Sequence, residues 1–178
     1  MEIIKTPFEG LFVLQTVNFQ DNRGGFQKLF NFDFFKEHGL DCDFKEFYYS
    51  VNNKDVVRGM HFQLPPFDHT KVVYVSRGYI KDVVVDIRKN SSTYRKCFSI
   101  ELDDQKGQYL YIPKGFAHGF VSLEEGSIVN YAQTSCYSKD HDCGVDAMSI
   151  GFDWGIENPI RSGRDVTFES LKEFNSPF

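Results

Sequence analysis

Tyr79-Ile80-Lys81-Asp82-Val83-Val84-Val85-Asp86-Ile87 sets three consecutive valines between two aspartates. β-Branched side chains are stiff at χ1 and suit a pleated strand. An unbroken apolar run of this kind fits a strand covered on both faces. Working outward, similar short runs lie on either side. Toward the N-terminus they are residues 71–75, 57–62, 44–51, 25–30 and 11–17; toward the C-terminus they are 97–102, 108–112, 119–123 and 128–134. Val, Ile, Tyr and Phe dominate them, and Gly, Asn, Asp and Pro punctuate them at short intervals. Regular short strands with turn punctuation predict an all-β sandwich or barrel, and ten or so strands fit a jelly roll. Helical signals occur in two places. Residues 33–38 precede Gly39, which suits a helix end, and residues 167–174 read as a short terminal helix with Thr167 as its N-cap. No repeat or linker interrupts the chain, so residues 1–178 are expected to form one domain.

Composition narrows the function. A chain of 178 residues can build a core without staples. Its 41% hydrophobic and 25% charged residues exclude disordered and collagen-like classes. Phe occurs 19 times, and much of it must be core. The net charge of −5 gives no general attraction to nucleic acid or to an anionic membrane, so neither is an expected partner. An anionic ligand would have to meet a local basic cluster. The N-terminus lacks a basic segment leading into an apolar one, and no run reaches the roughly 18 apolar residues of a membrane span. Cys42, Cys97, Cys136 and Cys143 show no CxxC spacing, as expected of reduced thiols in a cytoplasmic protein.

Two of the five histidines sit in apolar, strand-like company: Arg58-Gly59-Met60-His61-Phe62-Gln63 and Pro113-Lys114-Gly115-Phe116-Ala117-His118-Gly119-Phe120. A lone histidine in such a run is commonly a core residue satisfied by one hydrogen bond. Two of them, each after a Gly-containing turn and one with an Arg three residues earlier, point instead to a site. Pro-x-Gly-x-x-His at 113–118 resembles the second half-motif of the cupin jelly roll. Metal-binding cupins supply His-x-His and then Glu in the first half-motif, whereas here the stretch is His61-Phe62-Gln63. A Zn, Fe or Mn site wants three protein ligands, and two histidines with no obvious third predict no metal and no cofactor. Both imidazoles are then free for proton transfer or hydrogen bonding.

From about residue 5 to residue 165 the chain resembles the dTDP-4-dehydrorhamnose 3,5-epimerase family. The resemblance rests on Asp21-Asn22-Arg23-Gly24-Gly25-Phe26, on Val57-Arg58-Gly59-Met60-His61-Phe62-Gln63, and on Pro65-Pro66 with Lys71 after it. It continues through Asp82 to Arg88, the His118 motif, Tyr137-Ser138 and Trp154. Each motif is modest alone; in this order and spacing they are specific. The resemblance implies a cupin jelly roll that inverts C3, C5 or both in a 4-keto-6-deoxy sugar carried on a nucleoside diphosphate. It implies a homodimer that exchanges N-terminal strands, so that one subunit completes the other's site. A C4 ketone acidifies the flanking C–H groups, so inversion needs a base, an enolate stabiliser and an acid on the opposite face. By resemblance His61 is the base, Asp165 orients it, Tyr131 is the acid and Lys71 lies near the 4-oxygen. An imidazole titrates near 6.5, which suits a general base. Tyr131 as plain strand packing is the competing reading. Arg23 and Arg58 match phosphate-binding positions, a task for forked guanidinium donors. His118 matches a substrate-binding histidine, Asp142 stands where the family has Glu, and Arg164 where it has Lys.

The nucleotide end departs from the family. Lys28 stands where the family has Glu, and Glu46-Phe47-Tyr48 where it has Gln-Asp-Asn. Guanine offers two adjacent N–H donors and an O6 acceptor, which Glu46 and Lys28 would complement better than they complement thymine. A GDP-linked sugar, a heptose included, therefore stands beside a dTDP-hexose as the expected substrate. Two other readings are a metal-dependent cupin enzyme and a non-catalytic sugar-binding cupin.

Overall fold

A computed structural model describes all 178 residues. Thirteen strands run in chain order: β1 Glu2–Lys5, β2 Phe12–Gln15, β3 Asn18–Asp21, β4 Gly24–Gln27, β5 Glu46–Asn52, β6 Val57–Gln63 and β7 Lys71–Arg77. After these come β8 Tyr79–Asp86, β9 Cys97–Asp103, β10 Gln108–Ile112, β11 Phe116–Ser122, β12 Ser127–Gln133 and β13 Asp142–Gly144. One helix, α1 (Phe32–Glu37), lies between β4 and β5. The strands form a six-stranded sheet, β1-β2-β10-β7-β12-β5, and a five-stranded sheet, β13-β6-β11-β8-β9. All neighbouring pairs are antiparallel. β3 and β4 pair only with each other, as a separate hairpin. This is the all-β cupin jelly roll.

The valine run behaves as its pattern requires. Val84 enters the core between the sheets, with Val73, Val129, Leu110 and Phe120, while Val83 and Val85 join a second core on the outer face of the five-stranded sheet. That outer face is covered by the C-terminal segment, through Ile150, Trp154, Leu171 and Phe174. β8 is thus dry on both sides. The outer face of the six-stranded sheet packs against Phe35 of α1, with Leu14, Val72 and Tyr109.

Four expectations need correction. β1, β3 and β13 are absent from the sequence reading, because these strands of four residues or fewer lie outside any longer apolar run, unlike the equally short β2 and β4. Residues 29–30, read as the end of a strand, instead lead into α1, where Phe30 meets Phe35 edge-on at 4.9 Å. The terminal helix expected at 167–174 does not form. Only Asp165–Thr167 makes a single 3-10 turn, and Phe168 is already extended. The Thr167 hydroxyl donates to the Arg164 carbonyl instead of capping a helix. Burial of Leu171 and Phe174 against the sheet outweighs weak local helix preference. At the other end, α1 begins one residue earlier than expected, with Asn31 Oδ1 accepting from the Phe34 N–H at 2.9 Å.

Candidate active site

A cavity of about 400 Å³ opens between the two sheets. The five-stranded sheet supplies Arg58, His61 and Gln63 from β6 and His118 from β11. The facing sheet supplies Glu46, Tyr48 and Ser50 from β5, Lys71 from β7, and Tyr131 and Gln133 from β12. On β5, on β12 and from His61 to Gln63 these residues are two apart, because alternate side chains of a strand share a face. Arg58 is three before His61, across the bulge where the β6–β11 register shifts. His61 and His118 are register partners across β6 and β11. Their strands approach closely at Gly59, whose φ is +129° and where a Cβ would lie 2.6 Å from the Cα of Gly119. Only glycine fits that crossing.

His61 Nε2 lies 2.8 Å from Asp165 Oδ1, and Asp165 Oδ2 accepts from the Gly59 N–H at 3.2 Å. Burial alone would push the Asp165 carboxyl up. Hydrogen bonds from His61, Gly59 and Ser162 outweigh it and hold the group below the usual carboxylate range. An ionised Asp165 requires a proton on Nε2, which leaves the Nδ1 lone pair of His61 unclaimed. The 3-10 turn at Asp165–Thr167 therefore fixes the tautomer of a histidine 104 positions earlier in the chain.

His118 is buried and places Nε2 2.8 Å from Asp82 Oδ2. Burial lowers its pKa and keeps the imidazole neutral, against the opposing pull of Asp82. Lys71 is buried as well, and its ammonium makes no ion pair or hydrogen bond within the chain. Desolvation lowers its pKa to about 8, although Asp82 and Asp142 pull the other way. An unpaired ammonium in a closed site is ready for a ligand oxygen that carries or develops negative charge.

Tyr131 is buried, and its hydroxyl lies 3.4 Å from Ser50 Oγ. Burial pushes its phenol pKa far up, so it keeps its proton. Arg58 donates Nε–H to Asn52 Oδ1 at 2.7 Å, which orients a guanidinium that lines the cavity. At the cavity mouth Arg164 and Asp142 pair at 2.8 Å. Glu46 Oε2 accepts from the Tyr137 N–H at 2.6 Å and from Gln133 Nε2 at 3.1 Å.

Ten of the twelve residues expected at the site thus meet around one cavity: nine line it, and Asp165 backs His61. Arg23 and Lys28 do not. Arg23 sits at the tip of the β3–β4 hairpin, its side chain 86% exposed and paired with Asp21. Lys28 lines a separate cavity of about 500 Å³ with Phe19, Phe26 and Phe34. Glu46 and Lys28 therefore do not form a joint clamp within one subunit, because the hairpin that carries Arg23 and precedes Lys28 pairs with neither sheet. Sequence reasoning also passed over Gln133, Ser50 and His69. The first two fall on the inward side by period-two alternation from Tyr131 and Tyr48, which was a usable signal. His69 lies two residues before Lys71; burial lowers its pKa to about 3, so it is neutral. No group of three or more His, Cys, Asp or Glu residues is placed to hold a metal ion.

Fold and site are those of a cupin-type carbohydrate epimerase, an isomerase. The family model for dTDP-4-dehydrorhamnose 3,5-epimerase matches residues 5–173. The chain is 39% identical to the dTDP-4-dehydrorhamnose 3,5-epimerase of Methanothermobacter thermautotrophicus, over 96% of this chain and 94% of the relative. The crystal structure of the enzyme of that name from Elizabethkingia anophelis superposes with a TM-score of 0.91, at 32% identity and 99% coverage of both chains. A 4-keto-6-deoxy sugar epimerase from the novobiocin gene cluster of Streptomyces spheroides gives 0.93, at 30% identity over 97% of this chain and 88% of that one. The chain belongs to the dTDP-4-dehydrorhamnose 3,5-epimerase family.

Proposed function

We propose that the protein inverts C3, C5 or both in a nucleoside-diphosphate-linked 4-keto-6-deoxy sugar, for surface polysaccharide synthesis, with His61 as base and Tyr131 as acid. The supporting observation is that the two residues project from facing sheets into one cavity. A sugar ring held between the sheets presents one face to each group. His61 Nδ1 takes the proton from a carbon beside the ketone, the C–H electron pair forms the enolate C=C bond, and the C=O π pair moves to the 4-oxygen. The Lys71 ammonium stabilises the enolate oxygen. As the C=O re-forms, the opposite face of the carbon takes the Tyr131 hydroxyl proton. Solvent then reprotonates the phenolate and takes the proton from the imidazolium. Arg58 meets the phosphates, His118 accepts from or donates to the sugar, and Arg164 and Asp142 close the mouth.

His61→Asn keeps polarity but removes the base. It should slow solvent deuterium uptake at the carbons beside the ketone by at least about 10²-fold. Near-parental uptake in this variant would rule the role out.

The working form is a homodimer. Its support is the outer side of β5, where Phe47, Tyr49 and Val51 are 69%, 66% and 57% exposed on an edge strand. Apolar edge strands in soluble proteins are normally covered. A second copy that covers this face and brings its β3–β4 hairpin across would deliver Arg23 and Lys28 to the cavity. The unpaired state of all four cysteines agrees with work in the cytoplasm.

A second reading concerns the nucleoside, and the placement of Glu46 in the cavity wall favours it. A carboxylate there gains two N–H donors from guanine, while thymine would set carbonyl oxygens against it. On this reading the sugar is GDP-linked, and a heptose is included; otherwise it is a dTDP-hexose.

A further inference from the structure

Tyr48 stands directly opposite Tyr131 in the β5–β12 ladder. The two rings stack face to face, with centroids 4.6 Å apart and planes 16° from parallel. Besides its packing in the core between the sheets, the Tyr131 ring has a 3.4 Å contact from its hydroxyl to Ser50 and an edge contact with His118 at 6.3 Å. Tyr48 is itself held. Its hydroxyl donates to Gln133 Oε1 at 3.2 Å, and Gln133 Nε2 donates to Glu46 Oε2 at 3.1 Å. Glu46 is anchored in turn by the Tyr137 N–H. A continuous chain of contacts therefore runs from the cavity end where Glu46 sits to the plane of the Tyr131 ring.

We propose that Tyr48 is a positioning residue: its stacked ring holds the Tyr131 phenol against the face of the sugar that receives the new proton. The inference rests on the reading of Tyr131 as the acid. The consequence is specific to inversion. A Tyr131 ring free to swing leaves the enolate to be reprotonated by His61, on the face that lost the proton. The sugar then takes up solvent deuterium but keeps its configuration. Misplacement by about 1 Å costs on the order of 10²-fold in a positioned reaction. A residue that served only stability would slow uptake and inversion together. Burial pushes both phenol pKa values up, so neither ring competes as a base.

The test uses the full chain in D₂O, with dTDP- and GDP-linked 4-keto-6-deoxyhexoses as probes. NMR reads the ratio of inversion to deuterium uptake at each carbon. Tyr48→Phe keeps the ring and should hold that ratio within about twofold of the parent. Tyr48→Leu removes the stack and should lower the ratio by about tenfold or more while uptake through His61 persists. If Tyr48→Leu does not fold, Tyr48→Met replaces it and is read in the same way. An unchanged ratio in the ringless variant, or an equal fall in the Phe variant, overturns the inference. Tyr131→Phe is the separate control. Undiminished inversion there defeats the assignment of the acid itself, whereas failure of the Tyr48 variants alone leaves that assignment standing.

Discussion

At the scale of single residues, function depends on which polar groups the protein leaves unpaired. Asp165 claims Nε2 of His61, a residue that lines the cavity, and no side chain claims its Nδ1. Lys71 is buried without an ionic partner, and desolvation lowers its pKa to about 8, which predicts a pH limit if it stabilises the enolate as proposed. The ammonium is charged below that pH and loses its proton as pH rises through it. The kcat/KM profile should therefore fall above about pH 8, in step with the Lys71 pKa. Lys71→Arg keeps the charge to much higher pH and should remove this alkaline limb, even if the rate drops. An alkaline limb unchanged in the Arg variant would assign it to another group. Glu46 gives a second prediction. An unpaired polar group in a closed site costs about 1–3 kcal/mol, so GDP should bind at least about tenfold tighter than dTDP by calorimetry at one salt concentration. Glu46→Gln should narrow that gap. Equal affinities, or a preference for dTDP, would return the substrate to the dTDP-hexose series.

At the scale of elements, the strand period does most of the work. β5 shows it in an unusual form, with Glu46, Tyr48 and Ser50 turned to the cavity and Phe47, Tyr49 and Val51 turned outward. The inward residues are the polar set, so the usual assignment of apolar residues to the inside is reversed on this strand. Alternation alone identifies the two faces but not which one is inside. The crossing of β6 and β11 is the other element-scale device. Gly59→Ala would force a Cβ to 2.6 Å from the Gly119 Cα at a positive φ. The expected cost is about 1–3 kcal/mol of stability, read from urea unfolding, together with loss of activity as His61 shifts. A variant as stable and active as the parent would show that the crossing relaxes freely.

At the scale of the whole molecule, the jelly roll sets two sheets face to face and leaves a hairpin and an apolar edge outside them. Light scattering should give twice the 20.6 kDa chain mass across the working concentration range. Phe47→Glu with Tyr49→Lys should shift the protein toward monomer and weaken nucleotide binding, since Arg23 would no longer reach a cavity. A parental protein that stays at 20.6 kDa at all concentrations would end the dimer proposal. Much of this molecule was legible in the amino-acid sequence. The valine run 83–85, the turn punctuation and the two histidine motifs determined strands, fold class and the core of the site, because strand propensity and period-two burial are local properties. Tertiary structure alone decided three things. It brought Asp165 to His61 across 104 positions, a pairing that family resemblance implied but no local pattern did, and it stacked Tyr48 on Tyr131 across a ladder. It also extended the C-terminal segment over the outer core instead of coiling it. None of these follows from local preference. Each depends on chain closure over long sequence separations, where burial of a few side chains outweighs the weak propensities of the segments that carry them.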